Sequence, residues 1–151
     1  MTRVEFHVLL DDQPAAADRY ACTLCEQAYG AGRQVLLYCA DEDHCARLDG
    51  LLWSFRDSSF LPHGRLGPSA APVLIASAGT ASGEAPPERP LLINLSDHMP
   101  PGFEHFEDVC ELVYQTPARL QLARTHYRHY RACGCTLEHH RLRQRILSHS
   151  V

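Results

Sequence analysis

The amino-acid sequence predicts an α/β fold: a single-domain, open, mostly parallel β-sheet with helices on both faces. Three observations predict it. Short apolar runs bounded by turn residues alternate with longer stretches of helical period, in the order β-α-β-α-β-β-β-α, and parallel neighbours need such crossovers. The run Gln34 to Cys39, with Val35-Leu36-Leu37-Tyr38 inside it, is apolar without alternation, the mark of a strand covered on both sides. The 151 residues suit one domain, 1–151, which buries roughly 70% of its unfolded surface and needs no covalent staples.

Val4-Glu5-Phe6-His7-Val8-Leu9-Leu10 alternates and then turns apolar, which reads as the first strand, stopped by Asp11 and Asp12. Pro14 suits the first turn of a helix running to about Tyr29, with Ala17, Ala21, Leu24, Cys25 and Ala28 on its buried face and Gly30 and Gly32 at its end. After the second strand, Asp41-Glu42-Asp43 supplies an N-cap and an acidic first turn for a helix over Cys45, Leu48, Leu51 and Leu52, ending near Trp53. Residues 56–64 read as a loop. Pro72 to Ala76 and Leu91 to Leu95 read as strands, separated by a Gly-, Ser-, Ala- and Pro-rich surface loop from Ser77 to Pro90. Phe103 to Phe106 fits one helical turn and Val109 to Tyr114 a last strand. Thr116-Pro117 opens a long helix to about Cys133, closed by Gly134. Leu137 to Leu147 is expected as a short basic helix or a frayed end, so that 137–151 forms a loosely packed basic tail.

Composition narrows the function. The chain is 45% apolar and 21% charged, ordinary for a soluble protein, and no apolar run approaches the roughly 20 residues of a membrane span. Met1-Thr2-Arg3-Val4-Glu5 enters strand-like sequence directly, with no signal-peptide pattern; the expected location is the cytoplasm, with no membrane contact. The seven cysteines are then expected to be mostly reduced, and an odd count opposes a complete disulfide framework. The net charge of −4 conceals an asymmetry: residues 1–110 carry far more Asp and Glu than Arg, whereas 111–151 hold seven Arg against Glu111 and Glu138. Lys is absent. An acidic body is a poor binder of phosphate backbones, so direct, specific nucleic-acid binding is not expected, while the basic end suits an acidic partner.

Enzyme signals are missing. The turn after the first strand is Leu10-Asp11-Asp12-Gln13-Pro14, not a G-x-G-x-x-G; there is no P-loop and no G-x-S-x-G elbow. No catalytic residue and no cofactor is expected. Cys22-Thr23-Leu24-Cys25 has redox spacing but lies inside a helix rather than at its N-terminus, so core packing is the favoured reading. The alternative that stays open is a small cytosolic thiol redox or metal-binding protein using Cys22 and Cys25. Cys133-Gly134-Cys135, with His139-His140 nearby, lacks zinc-knuckle spacing, and no metal site is assigned. His126 and His129 read as solvated or partner-facing.

The long C-terminal helix carries the clearest signal. At 100° per residue, Arg124, Arg128 and Arg131 fall within about 60° of one another, with Tyr127 beside them. Leu120, Ala123, Tyr127 and Tyr130 form a second, mostly apolar stripe. No Asp or Glu lies within the helix to relieve the stacked guanidinium groups, which points to an external anion. Arg forks bind carboxylates bidentately, and a neighbouring Tyr adds an apolar wall; an acidic peptide ending in an aromatic residue and a free carboxylate fits. Trp53, Phe55 and Phe60-Leu61-Pro62-His63 form a second aromatic region, either buried loop anchors or a protein-binding patch.

Several segments resemble the chi subunit family of bacterial DNA polymerase III: Phe6-His7-Val8-Leu9, Gly32-Arg33-Gln34-Val35-Leu36, Arg47-Leu48-Asp49 with Leu52-Trp53, Ser59-Phe60-Leu61-Pro62-His63, Ala71-Pro72-Val73, and most specifically Gln121-Leu122-Ala123-Arg124 through Tyr127-Arg128-His129-Tyr130-Arg131, then Gly134. The resemblance implies a Rossmann-like fold without a nucleotide site, and a non-catalytic adaptor in DNA replication. In that family one surface holds the psi subunit of the clamp loader. Another grips the acidic C-terminal tail of the single-stranded-DNA-binding protein. An XPD-like accessory helicase uses the psi-facing surface. Carried over by motif, Arg124, Tyr127, Arg128 and Arg131 belong to the tail site, and Trp53, Phe60 and Pro62 to the psi or helicase surface. Leu120 stands where relatives are expected to carry a basic residue, so the anion site is either weaker here or uses Arg119. The segment beyond Leu137 is longer and richer in arginine than in relatives.

Overall fold

The computed structural model describes residues 2–55, 61–65, 71–77 and 90–147. The elements run β1 (Arg3–Val8), α1 (Pro14–Gly30), β2 (Val35–Cys39), α2 (Glu42–Ser54), β3 (His63–Arg65), β4 (Val73–Ser77), β5 (Leu91–Asn94), a single 3-10 turn (Phe103–His105), β6 (Asp108–Val113), α3 (Pro117–Ala132) and β7 (Thr136–Arg141). All seven strands form one sheet in the order β3-β4-β2-β5-β6-β1-β7. Every neighbouring pair is parallel, so among the described residues the sheet is wholly rather than mostly parallel.

The two faces follow from strand alternation. Val35, Leu37 and Cys39 of β2 point to one face, where Ala17, Ala21 and Cys25 of α1 and Cys45, Leu48 and Leu52 of α2 cover them. Leu36 and Tyr38 point to the other, with Phe6, Leu92, Val109 and Tyr130 of α3. The helix starts obey the predicted chemistry: Asp41 accepts from the His44 backbone N–H at 2.8 Å, and Thr116 Oγ1 from that of Arg119 at 3.2 Å. Gly134, which closes α3, has φ +81°, a conformation other residues reach only with strain.

Two elements depart from expectation. A three-residue strand, β3, occupies the end of the segment read as a loop and pairs with β4. Where the sequence suggested a helix or a frayed end over 137–147, β7 lies against β1, with Arg3 opposite Thr136 and Val8 opposite Arg141. Without β7, the outer edge of β1 would present unpaired backbone groups. Beyond β7 the chain is also held: the Asp11 carboxylate accepts from the backbone N–H groups of Ile146 (2.7 Å) and Leu147 (3.0 Å), whose side chains join the α1 and α2 core. The glycine-rich loop and the start of the 56–64 loop fall mainly outside the described residues.

Candidate peptide-binding groove

The helix α3 is docked by polar groups that its sequence pattern conceals. Glu111 of β6 is buried and gathers three partners: Tyr130 Oη donates to its Oε2 at 2.6 Å, Asn94 Nδ2 donates at 3.0 Å, and His126 Nδ1 lies at 3.2 Å. His126 is therefore 3% exposed, not solvated as expected, while His129 remains exposed. Burial, then the Glu111 charge, pushes the Tyr130 phenol far above its ordinary range, so it stays a donor. Arg119 is also buried. Its Nε donates to the Leu112 carbonyl (3.0 Å), its Nη1 to the Ser96 carbonyl (2.9 Å). Its guanidinium rests over the Tyr114 ring at 5.2 Å. It serves the fold and is not open to an external anion.

With α3 so fixed, its outward stripe and β7 enclose a groove of about 500 Å³. The floor is aromatic: Phe6 packs against Tyr127 (ring centroids 5.8 Å apart) and stacks on His139 at 5.5 Å, and Tyr127 meets His139 at 5.3 Å. Val8, Val113, Leu120 and Ala123 form apolar walls. Arg124 and Arg128, one turn apart on α3, and Arg141 at the end of β7 stand on its rim. All three are exposed, and none has a carboxylate within 4.0 Å among the described residues. The result is an apolar slot bordered by three available guanidinium forks.

The predicted site residues divide on this geometry. Arg124, Tyr127 and Arg128 line the groove; Arg131 is exposed in the last turn of α3 and does not line it. Leu120 contributes apolar wall. Sequence reasoning missed His139 and Arg141. The signal was available in the period of two along Leu137, His139 and Arg141, but the surrounding polar residues disguised a strand.

The other aromatic region lies at the opposite edge of the sheet. Trp53, at the end of α2, is 57% exposed, and its ring meets that of His63 on β3 edge-on at 4.8 Å. The Nδ1 of His63 lies 2.7 Å from the Leu61 carbonyl, and its Nε2 is 3.2 Å from Asp49 Oδ1. Pro62 is partly exposed beside them, and Phe60 lies outside the described residues. Six strand spacings separate β3 from β7, about 28 Å.

The CxxC alternative meets a direct obstacle. Cys22 and Cys25 are both fully enclosed between α1 and the sheet. Burial pushes the Cys22 thiol up to about 12 and that of Cys25 well above its ordinary value, so neither is a thiolate at neutral pH.

Comparison with known proteins identifies the chain's relatives. The family model described as DNA polymerase III chi subunit, HolC, matches residues 1–138. The chain belongs to the DNA polymerase III chi subunit family. A chi subunit from Pseudomonas aeruginosa is 44% identical over 142 residues, covering 94% of this chain and 98% of the relative. One from Escherichia coli is 31% identical over 144 residues, covering 91% and 96%. Membership of the chi family makes the chain a non-catalytic accessory subunit of the replicative polymerase. Arg141 lies beyond the residues that the chi model matches.

Solved structures agree on the fold. The C-terminal domain of the DEAD-box protein Dbp5 aligns with a TM-score of 0.60 at 14% identity, covering 93% of this chain and 91% of that one. A point variant of Saccharomyces cerevisiae Dbp5 bound to RNA and ADP BeF3 aligns at 0.62 and 12% identity, covering 93% of this chain and 41% of that one. At such identities the likeness concerns the Rossmann-like α/β architecture alone. Among the described residues no helix is long and apolar enough to cross a membrane.

Proposed function

We propose that this chain is an adaptor of the replication machinery, joining the clamp loader, through the psi subunit, to the acidic C-terminal tail of the single-stranded-DNA-binding protein. The observation that carries the reading is the groove between α3 and β7, with three exposed arginines around an aromatic floor. The peptide's terminal carboxylate and acidic side chains take charge-assisted hydrogen bonds from Arg124, Arg128 and Arg141. The ring of its last residue enters the slot beside Tyr127 and Phe6. The patch of Trp53 and Pro62 at the far edge is assigned to psi, or to an XPD-like helicase using the same surface; Phe60 belongs to that assignment by motif. Two surfaces at opposite sheet edges suit a bridge, because one partner does not cover the other.

A titration with a tail peptide ending in phenylalanine tests the reading. Arg124→Ala is expected to cost about 1.5–3 kcal/mol, roughly ten- to a hundredfold in Kd. Arg141→Ala acts in the same direction, and Arg131→Ala leaves binding nearly unchanged. Amidating the peptide's terminal carboxylate, or raising the salt, weakens the complex. Equal curves for wild type and Arg124→Ala would refute the assignment. Trp53→Ala is expected to reduce psi capture while leaving the peptide titration intact.

A further inference from the structure

The face of the sheet opposite the groove carries a second constellation where β1 meets β7. Glu5-Phe6-His7 and Glu138-His139-His140 are the same E-x-H pattern on two parallel strands. The register sets Glu5 beside Glu138 and His7 beside His140. With a period of two, these four side chains share one face, while Phe6 and His139 point the other way into the groove. Glu5 Oε1 lies 3.2 Å from His140 Nε2, and Glu5 Oε2 lies 3.6 Å from His7 Nε2. One donor atom from each of the three residues lies within 4.8 Å of the others.

Two further observations single out this cluster from ordinary surface charge. His7 Nε2 is buried and has no hydrogen-bond partner, and a buried nitrogen left so needs a reason. The other ring nitrogen, Nδ1, is 2.6 Å from Tyr20 Oη on α1. A hydrogen bond there fixes the ring's orientation and aims Nε2 at Glu5 and His140; with Nδ1–H donating to the hydroxyl, Nε2 carries the lone pair, the arrangement in which metal-ligating histidines are found. Donor atoms around a tetrahedral zinc ion, at about 2.0–2.1 Å from it, stand about 3.3–3.4 Å apart; the distances from the two Glu5 oxygens, one to each histidine, are near that spacing, and the three-residue set lies within 4.8 Å. Access exists: Glu5 and His7 also line a cleft of about 300 Å³ beside α1.

We propose that Glu5, His7 and His140 bind a divalent transition-metal ion of the zinc class, with Tyr20 orienting His7 and Glu138, 4.0 Å from His140 Nε2, in reach as a fourth donor. Imidazole nitrogen and carboxylate oxygen suit zinc, and the absence of thiolate from the set separates this site from the Cys133 and Cys135 pair. The ion joins β1 to the edge strand β7 by side chains, in addition to the backbone ladder. The site is independent of the peptide reading of the groove on the opposite face.

The test uses the full chain, freed of metal, with Cys133→Ser and Cys135→Ser in place to remove competing exposed thiols. It is titrated with zinc chloride by calorimetry and with cobalt chloride by visible absorption. One ion per chain is expected, with binding weakened at least roughly tenfold by His140→Gln and by Glu5→Gln. A readout without site variants comes from imidazole nitrogen NMR: zinc should shift Nε2 of His7 and of His140 while His126 stays unmoved. The proposal is overturned if no ion binds the serine double variant, if His140→Gln binds as tightly as its parent, or if neither imidazole moves on saturation.

Discussion

Replacing Tyr130 with Phe removes one hydroxyl from the most enclosed part of α3 and leaves the ring in place. The hydroxyl donates to Glu111 Oε2 at 2.6 Å, with Asn94 and His126 as the carboxylate's other partners. A hydrogen bond to a charged group contributes about 1.5–3 kcal/mol, and here the acceptor is buried where water does not replace the lost donor. Tyr130→Phe is therefore expected to lower stability by about 1.5–3 kcal/mol, or Tm by about 3–12 °C for a chain of this size. Urea unfolding should show a lower midpoint with an unchanged slope, because the surface exposed on unfolding is the same. The ring contacts with Phe103 (5.0 Å) and Phe6 (6.1 Å) persist, so α3 stays seated and the groove keeps its shape. In a Glu111→Gln background the effect of Tyr130→Phe should shrink, the signature of coupling in a double-mutant cycle. A loss below about 0.5 kcal/mol in the wild-type background would show that the phenol does not sustain the carboxylate, and the account of how α3 is docked would fail.

Two other outcomes follow from the charges and thiols. Burial pushes the Asp108 carboxyl up, but hydrogen bonds from Arg3 (2.7 Å) and Arg33 (2.6 Å) outweigh it and hold the group below its ordinary value of 3.8. A depressed carboxyl stabilises the fold above its unfolded-state pKa, and that contribution is lost as pH falls through the lower folded-state value. Urea midpoints of wild type and Asp108→Asn should thus converge as pH falls below about 4, and a constant difference down to acid pH would contradict the ion-pair account. Thiol titration of the native chain should modify exposed Cys133 first and half-buried Cys135 more slowly, with the five buried cysteines reacting only after denaturation; rapid labelling of Cys22 or Cys25 would revive a redox role for the CxxC pair.

How legible the structure was in the sequence depended on where each residue's partners lie. β1, β2 and β6, with α1, α2 and α3, announce themselves through apolar periodicity and through the caps Asp41 and Thr116, all local signals. β3 does not: His63-Gly64-Arg65 has no apolar pattern and is a strand because β4 offers it an edge. β7 was hidden for a related reason, since Glu138, His139, His140 and Arg141 are exposed and only Leu137 is apolar. In the groove, Arg124, Tyr127 and Arg128 were readable from helical spacing alone. The roles of His126 and Arg119 were not, because Glu111, Leu112 and Ser96, which bury them, come from other elements.

The position of β1 between β6 and β7 has a consequence for how the protein is made. Arg3 finds its ladder partners at Asp108 and Thr136, so β1 is completed on both sides by segments translated much later. Such long-range pairing slows folding, because a large loop must close before any contact rewards it. The Phe6 ring gains its neighbours Tyr127 and His139 only after α3 and β7 have been made. The slot between α3 and β7 thus closes only once β7 has been made, and a product truncated before Thr136 has neither the slot nor a protected border strand.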